Sequence, residues 1–341
     1  MVTVIKPFTH LGKRSLFLIW GSPSVGPRSR VFSRELGIDD LQYVYTKTRR
    51  GVLSAPLRYA VQTIQTLRLL FKKHPEIVFV QSPPSLAVLV VYFYCRLTNS
   101  QYVIDAHSAA FLTPIWTYPR WLHRHLAQNA IVTIVTNEHF KEIIQQWGGN
   151  TFVLRDIPTN FPRASSFDLS NSFNLVVVNT FSDDEPIDQV LQAANELREV
   201  NFYITGNKKY ASEKLLSTAS NNVHFTDFLP DDLYYALLSS GDAVMCLTNR
   251  DHTMQRGACE ALSLGKPIIT SDWPMLRDYF DKGTIHVANT KEGICQGVHE
   301  MVEKKGLYQE EIKELQEAQR REWLDKSATL TDLVQQALEP A

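Results

Sequence analysis

Short apolar runs recur along this sequence at similar intervals, and longer segments with helical periodicity lie between them. In the first half the runs are RSLFLIWG, PEIVFVQS, SQYVIDAH, AIVTIVTN and TFVLRDI, and candidate helices span residues 55–73 and 86–97. Continuous apolar runs of this length are typical of parallel strands buried on both faces, and parallel strands need crossover connections that are usually helical. The pattern therefore predicts βαβ units and an α/β fold.

The same alternation restarts in the second half, after a stretch rich in Pro, Ser and Asn, IPTNFPRASSFDLSNSF, which we interpret as an inter-domain linker. The second series of apolar runs is FNLVVVNTF, VNFYITGN, NNVHFTDFL, DAVMCLT, KPIITSD and TIHVAN. The candidate helices of this half span residues 186–199, 211–220, 231–239 and 256–263, and a polar helical tail spans 291–338.

The repeated alternation of predicted strands and helices indicates two domains. A chain of 341 residues has room for two domains of about 150 residues each. We predict two Rossmann-like, doubly wound domains, residues 1–160 and 161–310, that face each other across a cleft with ligands at the carboxyl ends of the strands. Residues 311–341 form a helical tail, for which packing back on the first domain is one arrangement.

Charge is distributed very unequally over the chain, although the net charge is only -1. Residues 1–165 hold 19 Lys and Arg against 8 Asp and Glu, a net charge of +11, and the remainder holds 16 against 28, a net charge of -12. A basic half indicates an anionic partner such as a membrane surface or a phosphate-bearing lipid. Nucleic acid is not expected, because no helix-turn-helix, zinc-finger or RNP motif is present.

The helix predicted at residues 55–73 carries basic residues on its polar side, and it suits two roles. It could lie on an anionic leaflet, or it could be an ordinary outer helix of a βαβ unit. Its basic residues are Arg58, Arg68, Lys72 and Lys73. We predict peripheral contact with an anionic membrane surface.

Cysteine usage and apolar run length indicate a cytoplasmic location. The four cysteines are far apart and form no Cys-x-x-Cys pair, which is typical of reduced thiols. The longest apolar run, residues 86–95, ends at Arg96, short of the roughly 20 residues that a membrane-spanning helix needs. We find no secretory signal and expect the cytoplasm, with peripheral contact to the cytoplasmic face of a membrane as an extension of that expectation.

One acidic residue, Glu260, lies in the otherwise small and apolar stretch RGACEALSLGKPIITSD. A strand and a polar loop precede a helix that begins near Gln255, so the first N–H groups of this helix would point towards the carboxyl edge of the sheet. Such a terminus binds anions, and a carboxylate one turn further on suits the hydroxyl groups of a ribose. An ordinary first-turn glutamate that favours the helix dipole accounts for the spacing equally well.

This stretch resembles the donor-site motif of GT-B glycosyltransferases of the large retaining family, family four. There a helix carrying Glu-Ala, followed by Gly-x-Pro, holds the ribose and phosphates of a nucleotide sugar. Two further segments, VHFTDFLPDDLYYALLSSGDAVMCLT and AIVTIVTNEHFKEIIQQWG, are similar to parts of the same family, and the likeness covers residues from about 75 to 280.

The resemblance implies an acceptor-side domain at residues 1–160 and a nucleotide-sugar-binding domain at 161–310. It implies a UDP- or GDP-linked donor, no cofactor and no metal, and no Asp-x-Asp motif of metal-bridged enzymes occurs. The predicted donor-binding residues are Glu260, Gly257, Arg256, Gln255, Met254, Thr253, His252, Asn179, Lys208 and Phe228.

The segment VFVQSPPSLAVLVVYFYCRLTNSQYVIDAHS is similar to the enzymes that mannosylate dolichol-pyrophosphate chitobiose, which carry Gln-x-Pro-Pro-Ser and Asp-x-His stretches. This resemblance implies a lipid-linked acceptor of the polyprenyl-pyrophosphate type. Asp105 and His107 follow a strand, and a carboxylate beside an imidazole suits acid/base catalysis or placement of the sugar. The alternative is that His107 only caps the next helix or binds backbone.

The loop GSPSVGPRSR follows the first strand and lies on the same rim. Ser22, Arg28 and Arg30 suit an acceptor or its phosphate, and ordinary surface arginines are the alternative. A dinucleotide-binding oxidoreductase is disfavoured, because Gly-x-Gly-x-x-Gly is absent.

Two departures from the family pattern bear on catalysis. The family usually has a second glutamate eight residues before the first, where this chain has His252. It also usually has an Arg and a Lys after the first strand of the second domain, where this chain reads VVVNTFSDDEPIDQVL. Arg256, Lys208 or Lys209 could supply positive charge, but a solvated surface lysine is the commoner situation.

The sequence therefore predicts a glycosyltransferase, specifically a hexosyltransferase, that moves a sugar from a nucleotide-sugar donor to a glycan or lipid-linked acceptor in polysaccharide or glycoconjugate synthesis. A catalytically silent nucleotide-sugar-binding protein is the alternative.

Overall fold

The computed structural model divides the chain into two compact units. It describes residue 8 and residues 14–23, 27–46, 54–159, 161 and 166–339. The first unit comprises Met1–Asp156 together with Trp323–Ala341, and the second unit is Ile157–Glu322. The stretch interpreted as a linker begins where the second unit begins, and its residues 160 and 162–165 lie outside the described ones.

The first unit is built on six strands with helical crossovers. The strands are β1 (Ser15–Ile19), β2 (Leu41–Tyr43), β3 (Ile77–Ser82), β4 (Gln101–Ala106), β5 (Thr133–Val135) and β6 (Thr151–Val153). The helices are α1 (Pro27–Leu36), α2 (Ala55–Lys73), α3 (Ser85–Thr98), α4 (Ala109–Leu112), α5 (Pro114–Thr117), α6 (Arg120–Asn129) and α7 (Glu138–Gln146). The strands pair in parallel in the order β2-β1-β3-β4-β5-β6.

The second unit repeats this plan. Its strands are β7 (Phe173–Val177), β8 (Val200–Thr205), β9 (Val223–Asp227), β10 (Ala243–Cys246), β11 (Ile268–Ser271) and β12 (Thr284–Val287). Its helices are α8 (Ile187–Glu196), α9 (Glu213–Ser217), α10 (Asp231–Ser240), α11 (Arg256–Ser263) and α12 (Pro274–Tyr279). The strands pair in parallel in the order β12-β11-β10-β7-β8-β9. The final helix, α13 (Lys291–Leu338), is kinked at Lys304.

The predicted α/β class with two Rossmann-like, doubly wound sheets is confirmed. Helices α2, α11 and α13 have the limits that the sequence predicts. Strand β2 was not predicted, because its three residues LQY are only half-buried and show no apolar run. Among the described residues, no helix combines the length and the apolar character that crossing a bilayer requires.

Each sheet contains a point where the strand order reverses. In the first sheet the chain leaves β1 towards β2 and then continues from β3 on the other side of β1. In the second sheet the chain runs from β7 to β9 and returns beside β7 at β10. Loops diverge at such points and leave a crevice at the carboxyl edge, which is where open α/β sheets bind ligands.

The end of α13 belongs to the core of the first unit. Trp323 is 3% exposed, and its ring lies edge-on to that of Phe32 on α1, with the ring centroids 6.1 Å apart. Phe32 is itself buried. The C-terminal part of the chain thus covers the face of the first sheet that carries α1.

We expect Trp323→Ala to lower the free energy of unfolding of the first unit by about 3–5 kcal/mol, because a large buried ring is replaced by a cavity. Urea-induced unfolding followed by circular dichroism measures this loss. Trp121→Ala is the matched control, since Trp121 is 71% exposed; its effect should stay within about 0.5 kcal/mol. Equal losses in the two variants would show that Trp323 does not hold the unit together.

Candidate functional site

Four side chains meet at the carboxyl edge of the first sheet. Gln81 on β3 and Asp105 on β4 are direct partners in the strand register, and Ser29 lies in the first turn of α1 after β1. Ser29 Oγ is 2.8 Å from Asp105 Oδ2, 3.1 Å from Gln81 Oε1 and 3.1 Å from His107 Nε2. Adjacent parallel strands end at the same edge, so residues far apart in sequence come together here.

Asp105 is completely buried and nevertheless ionised. Burial by itself would raise its pKa, but the neighbouring His107 imidazole, the Arg28 guanidinium and the Ser29 hydroxyl outweigh burial and lower the pKa of Asp105 from 3.8 to about 2. Its Oδ2 is 3.1 Å from His107 Nε2, and its Oδ1 is 3.6 Å from Arg28 Nε. With no exposed surface, this carboxylate orients its neighbours and does not itself reach a substrate in this arrangement.

Arg28 is held inside the first unit. Its Nη1 donates to Asp156 Oδ1 at 2.6 Å and its Nη2 to the Leu154 carbonyl at 2.8 Å, and the guanidinium lies 4.0 Å from the centre of the Phe32 ring. Only 11% of the side chain is exposed. These contacts assign Arg28 to neutralising Asp105 and Asp156, which differs from the acceptor-phosphate role that its loop position suggested.

The other two residues predicted to contact the acceptor differ in exposure. Arg30 is exposed, and Ser22 is half-buried. Both flank the edge at which Ser29 and Asp105 meet, so they keep their predicted roles as candidates for acceptor contact.

His107 is the part of this cluster that faces outwards. Its side chain is 21% exposed, and its contacts with Asp105 and Ser29 both involve Nε2. Its backbone also takes part in the start of α4, because the Ala110 N–H donates to the His107 carbonyl at 2.9 Å. The imidazole is therefore oriented by a buried carboxylate, which is the arrangement that a histidine in acid/base chemistry requires.

Asp105→Asn should destabilise the protein by about 2 kcal/mol at pH 7, in proportion to the lowered pKa of Asp105. Because that pKa lies below its unfolded value, the contribution is complete at neutral pH and is lost as the pH falls from about 4 to 2. The difference in the free energy of unfolding between wild type and variant should therefore be about half as large at pH 3 as at pH 7.

Urea-induced unfolding at the two pH values measures this difference. The exposed Asp325 provides the control, since Asp325→Asn should leave the stability unchanged at both pH values. A difference for Asp105→Asn that is the same at pH 7 and pH 3 would contradict the assignment of Asp105 as an ionised, partnered carboxylate.

In the second unit, helix α11 begins at the point where the strand order reverses. Gly257 lets this helix approach closely, because a Cβ at this position would lie 2.6 Å from Val178 Cγ1 and 3.0 Å from Cys246 Sγ. Val178 follows β7 and Cys246 ends β10. The N–H groups of the first turn of α11 therefore lie at the crevice between β7 and β10, where the helix dipole favours an anion.

Glu260 is 7% exposed and already has two partners. Tyr234 Oη donates to Glu260 Oε2 at 2.7 Å, and Arg256 Nε donates to Glu260 Oε1 at 2.7 Å. Burial, and then the charge of Glu260, raise the pKa of Tyr234 well above its usual value, so the phenol remains a donor. A carboxylate accepts about four hydrogen bonds, so these two contacts fix Glu260 and leave acceptor capacity for a ligand.

The remaining predicted donor residues lie at the carboxyl ends of four neighbouring strands. Residues Thr253, Met254 and Gln255 lead from β10 into α11, and His252 has a positive φ of 55°. Asn179 follows β7, Lys208 follows β8, and Phe228 follows β9.

Asn179 and Phe228 differ in exposure. Asn179 is buried, and its Oδ1 accepts from the Phe181 N–H at 2.8 Å. Phe228 is 74% exposed and presents a free aromatic face, and Lys208 Nζ lies 3.8 Å from Asp227 Oδ2 beside it. The predicted residues thus share one edge, with an aromatic side chain at its β9 end and α11 at its β10 end.

The loop after β7 has no Arg or Lys and is closed by an acidic residue. Glu185 closes this loop on itself, accepting from the N–H groups of Thr180 at 2.8 Å and Ser182 at 2.9 Å. Asp184 lies 3.7 Å from Arg250 in the loop after β10. Near this loop, positive charge comes from Arg250 and from Arg256 on the β10 side of the crevice, and Lys208 lies further along the edge, after β8.

Several of these partners were not found from the sequence. Ser29, Gln81 and Tyr234 lie in segments singled out for other reasons, and Arg250 lies in the polar loop before α11. Each acts through a contact with a residue distant in the chain, which spacing alone does not reveal.

Comparison with known proteins establishes the fold and finds a family-model match over part of the chain. Residues 172–304 match the family model described as glycosyl transferases group 1. This match covers β7 to the first part of α13 and includes every predicted donor-binding residue. A search of curated protein sequences found no match.

Solved structures share the fold over nearly the whole chain. A sucrose-phosphate synthase from Thermosynechococcus elongatus has a TM-score of 0.73 and 13% identity, over 95% of this chain and 99% of that one. HepE from Anabaena, in complex with UDP, has a TM-score of 0.69 and 13% identity, over 95% and 100%. A Listeria monocytogenes protein described as a UDP-N-acetylglucosamine 2-epimerase has a TM-score of 0.62 and 11% identity, over 95% and 96%. The fold is therefore that of GT-B proteins.

Proposed function

We propose that this protein is a glycosyltransferase that takes a hexose from a nucleotide-sugar donor. The observation that carries the proposal is the position of Glu260: it is a buried, oriented carboxylate one turn inside a helix that begins at the reversal point of the second sheet. Family-model agreement over residues 172–304 supports the same reaction class.

The donor is proposed to bind along the carboxyl edge of the second sheet. The first turn of α11 and the Arg256 guanidinium would meet the diphosphate, and Glu260 would accept from the ribose hydroxyls. Phe228 offers a surface on which a base can stack. HepE structures contain UDP or UDP-glucose, which makes a uridine nucleotide the first donor to test.

The acceptor is proposed to meet His107 on the first unit. With Nε2 directed at Asp105, the ring nitrogen Nδ1 would be available to an acceptor hydroxyl or to the transferred sugar. Arg30 and Ser22 would contact a phosphate of a lipid-linked acceptor. A lipid-linked acceptor rests on the resemblance of the β3–β4 segment to the dolichol-pyrophosphate chitobiose mannosyltransferases, and a glycan acceptor is the other possibility.

A second candidate function is nucleotide-sugar binding without transfer. It is favoured by the loop after β7, which is closed by Glu185 and has no Arg or Lys, and by His252 in the place of the second glutamate. Both functions require nucleotide binding, but only the glycosyltransferase turns the donor over.

Glu260→Gln should weaken nucleotide binding by about 5- to 150-fold, equivalent to about 1–3 kcal/mol for charge-assisted hydrogen bonds to the ribose. Thermal shift with UDP, GDP, ADP and NAD first selects the nucleotide, because a ligand that binds only the folded protein raises its melting temperature. Isothermal titration calorimetry then measures its affinity for each variant.

Tyr234→Phe is the matched control. It removes a contact of Glu260 within the protein at 2.7 Å and leaves the carboxylate in place, so its effect on affinity should be within about threefold. Equal losses for Glu260→Gln and Tyr234→Phe would mean that Glu260 acts only in the fold. Unchanged affinity in Glu260→Gln would place the donor elsewhere.

His107→Ala should lower turnover by about 100-fold or more, the usual effect of losing a positioned acid/base group, while nucleotide affinity stays unchanged. Release of nucleoside diphosphate from the donor selected above measures turnover, with and without a polyprenyl-phosphate sugar acceptor. Wild-type protein that binds the donor and shows no turnover under any condition would support the binding function instead. Turnover unchanged in His107→Ala would move the chemistry away from this cluster.

A further inference from the structure

Helix α2 exposes an apolar stripe. Leu57, Ile64 and Phe71 are 67%, 49% and 44% exposed, and they are seven residues apart along the helix. Residues at this spacing lie on one side of an α-helix. The exposed Arg68 and Lys72 lie on the same outer side, whereas Lys73 is paired with Asp40 at 2.7 Å.

The neighbouring helices extend this surface. Phe93 and Leu97 of α3 are 55% and 75% exposed. Helix α2 packs on α3, and α3 packs on α6. Ring contacts join them, Phe71 with Tyr94 at 5.2 Å, and Tyr92 with His125 at 5.1 Å. The three helices therefore form one layer, which we call the α2–α3–α6 face.

The segment leading into α6 is the most exposed apolar part of this layer. Ile115, Tyr118 and Trp121 are 73%, 61% and 71% exposed. The Arg120 guanidinium lies 5.3 Å from the centre of the Tyr118 ring. Tyrosine and tryptophan flanked by arginine are the side chains enriched at the boundary between lipid headgroups and acyl chains.

The exposed charged side chains of this face are basic. Between residues 54 and 137 the sequence has two acidic residues, Glu76 and Asp105. Asp105 is completely buried, and Glu76 Oε2 accepts from the Arg14 N–H at 3.1 Å. The exposed basic residues of the face are Arg68, Lys72, Arg96, Arg120 and Arg124. An anionic partner is thus complementary to the whole layer.

We propose that the α2–α3–α6 face docks on an anionic lipid bilayer, with Ile115, Tyr118 and Trp121 entering the headgroup boundary and the arginines contacting lipid phosphates. A partner surface that is both anionic and able to accept isolated aromatic side chains is the surface of a phospholipid leaflet. This docking does not depend on glycosyl transfer, because no residue of the face belongs to the donor or acceptor sites proposed above.

Co-sedimentation of the full-length protein with vesicles tests the docking. Vesicles of phosphatidylcholine mixed with phosphatidylglycerol should bind the protein, vesicles of phosphatidylcholine alone should bind it far less, and added salt should weaken the binding. The double variant I115S/W121S should lose about tenfold or more of the partition coefficient, through lost apolar burial. R120Q/R124Q should lower the partition coefficient about 30-fold, because each charge contributes about 1 kcal/mol to binding, and its binding should depend less on salt.

Matched variants in the second unit provide the controls. V302S/L307S removes two exposed apolar side chains, and R198Q/R321Q removes two exposed charges; both should bind vesicles like wild type. Equal binding to neutral and anionic vesicles, or binding that all four variants share with wild type, would overturn the proposal. So would a concentration-dependent dimer that I115S/W121S converts to monomers, since the face would then be covered by a second copy of the chain.

Discussion

Backbone hydrogen bonding between parallel strands is the constraint on which this structure depends. All sheet pairs described are parallel, so each crossover returns over a face of the sheet and covers it. Strand interiors then carry apolar residues, and polar side chains with chemical roles are left to the strand ends. Asp105 lies near the end of β4, and Glu260 lies one turn inside α11, which begins beyond the end of β10.

These two carboxylates are supported in different ways. Asp105 is completely buried and is held by Arg28, His107 and Ser29, of which the His107 imidazole is partly exposed. Glu260 keeps a small exposed fraction and shares its oxygens between Tyr234 and Arg256. The first arrangement suits orientation of a reacting group, and the second suits a fixed acceptor for hydroxyl groups.

The sequence predicts the fold well because apolar periodicity is local. Helices α2 and α11 could be delimited from spacing and flanking residues alone, and Glu260 was conspicuous as a charge in an apolar stretch. Which side chains become hydrogen-bond partners is not determined by the local sequence. Tyr234 is hydrogen-bonded to Glu260, and Ser29 is hydrogen-bonded to Asp105. In each pair the two residues lie on different elements, and the path of the crossover connections determines how far apart these elements are. The same applies to Arg28, whose loop position suggested a ligand contact and whose side chain turns inwards to Asp156.

The path of α13 has a consequence for biosynthesis. The first unit includes Trp323 and the residues after it, whereas the second unit is continuous in sequence. During translation the first unit emerges earlier from the ribosome, but its surface around Phe32 stays uncovered by Trp323 until the second unit has been synthesised. The first part of the chain to be synthesised therefore exposes this apolar surface for longer than its early position in the sequence would suggest.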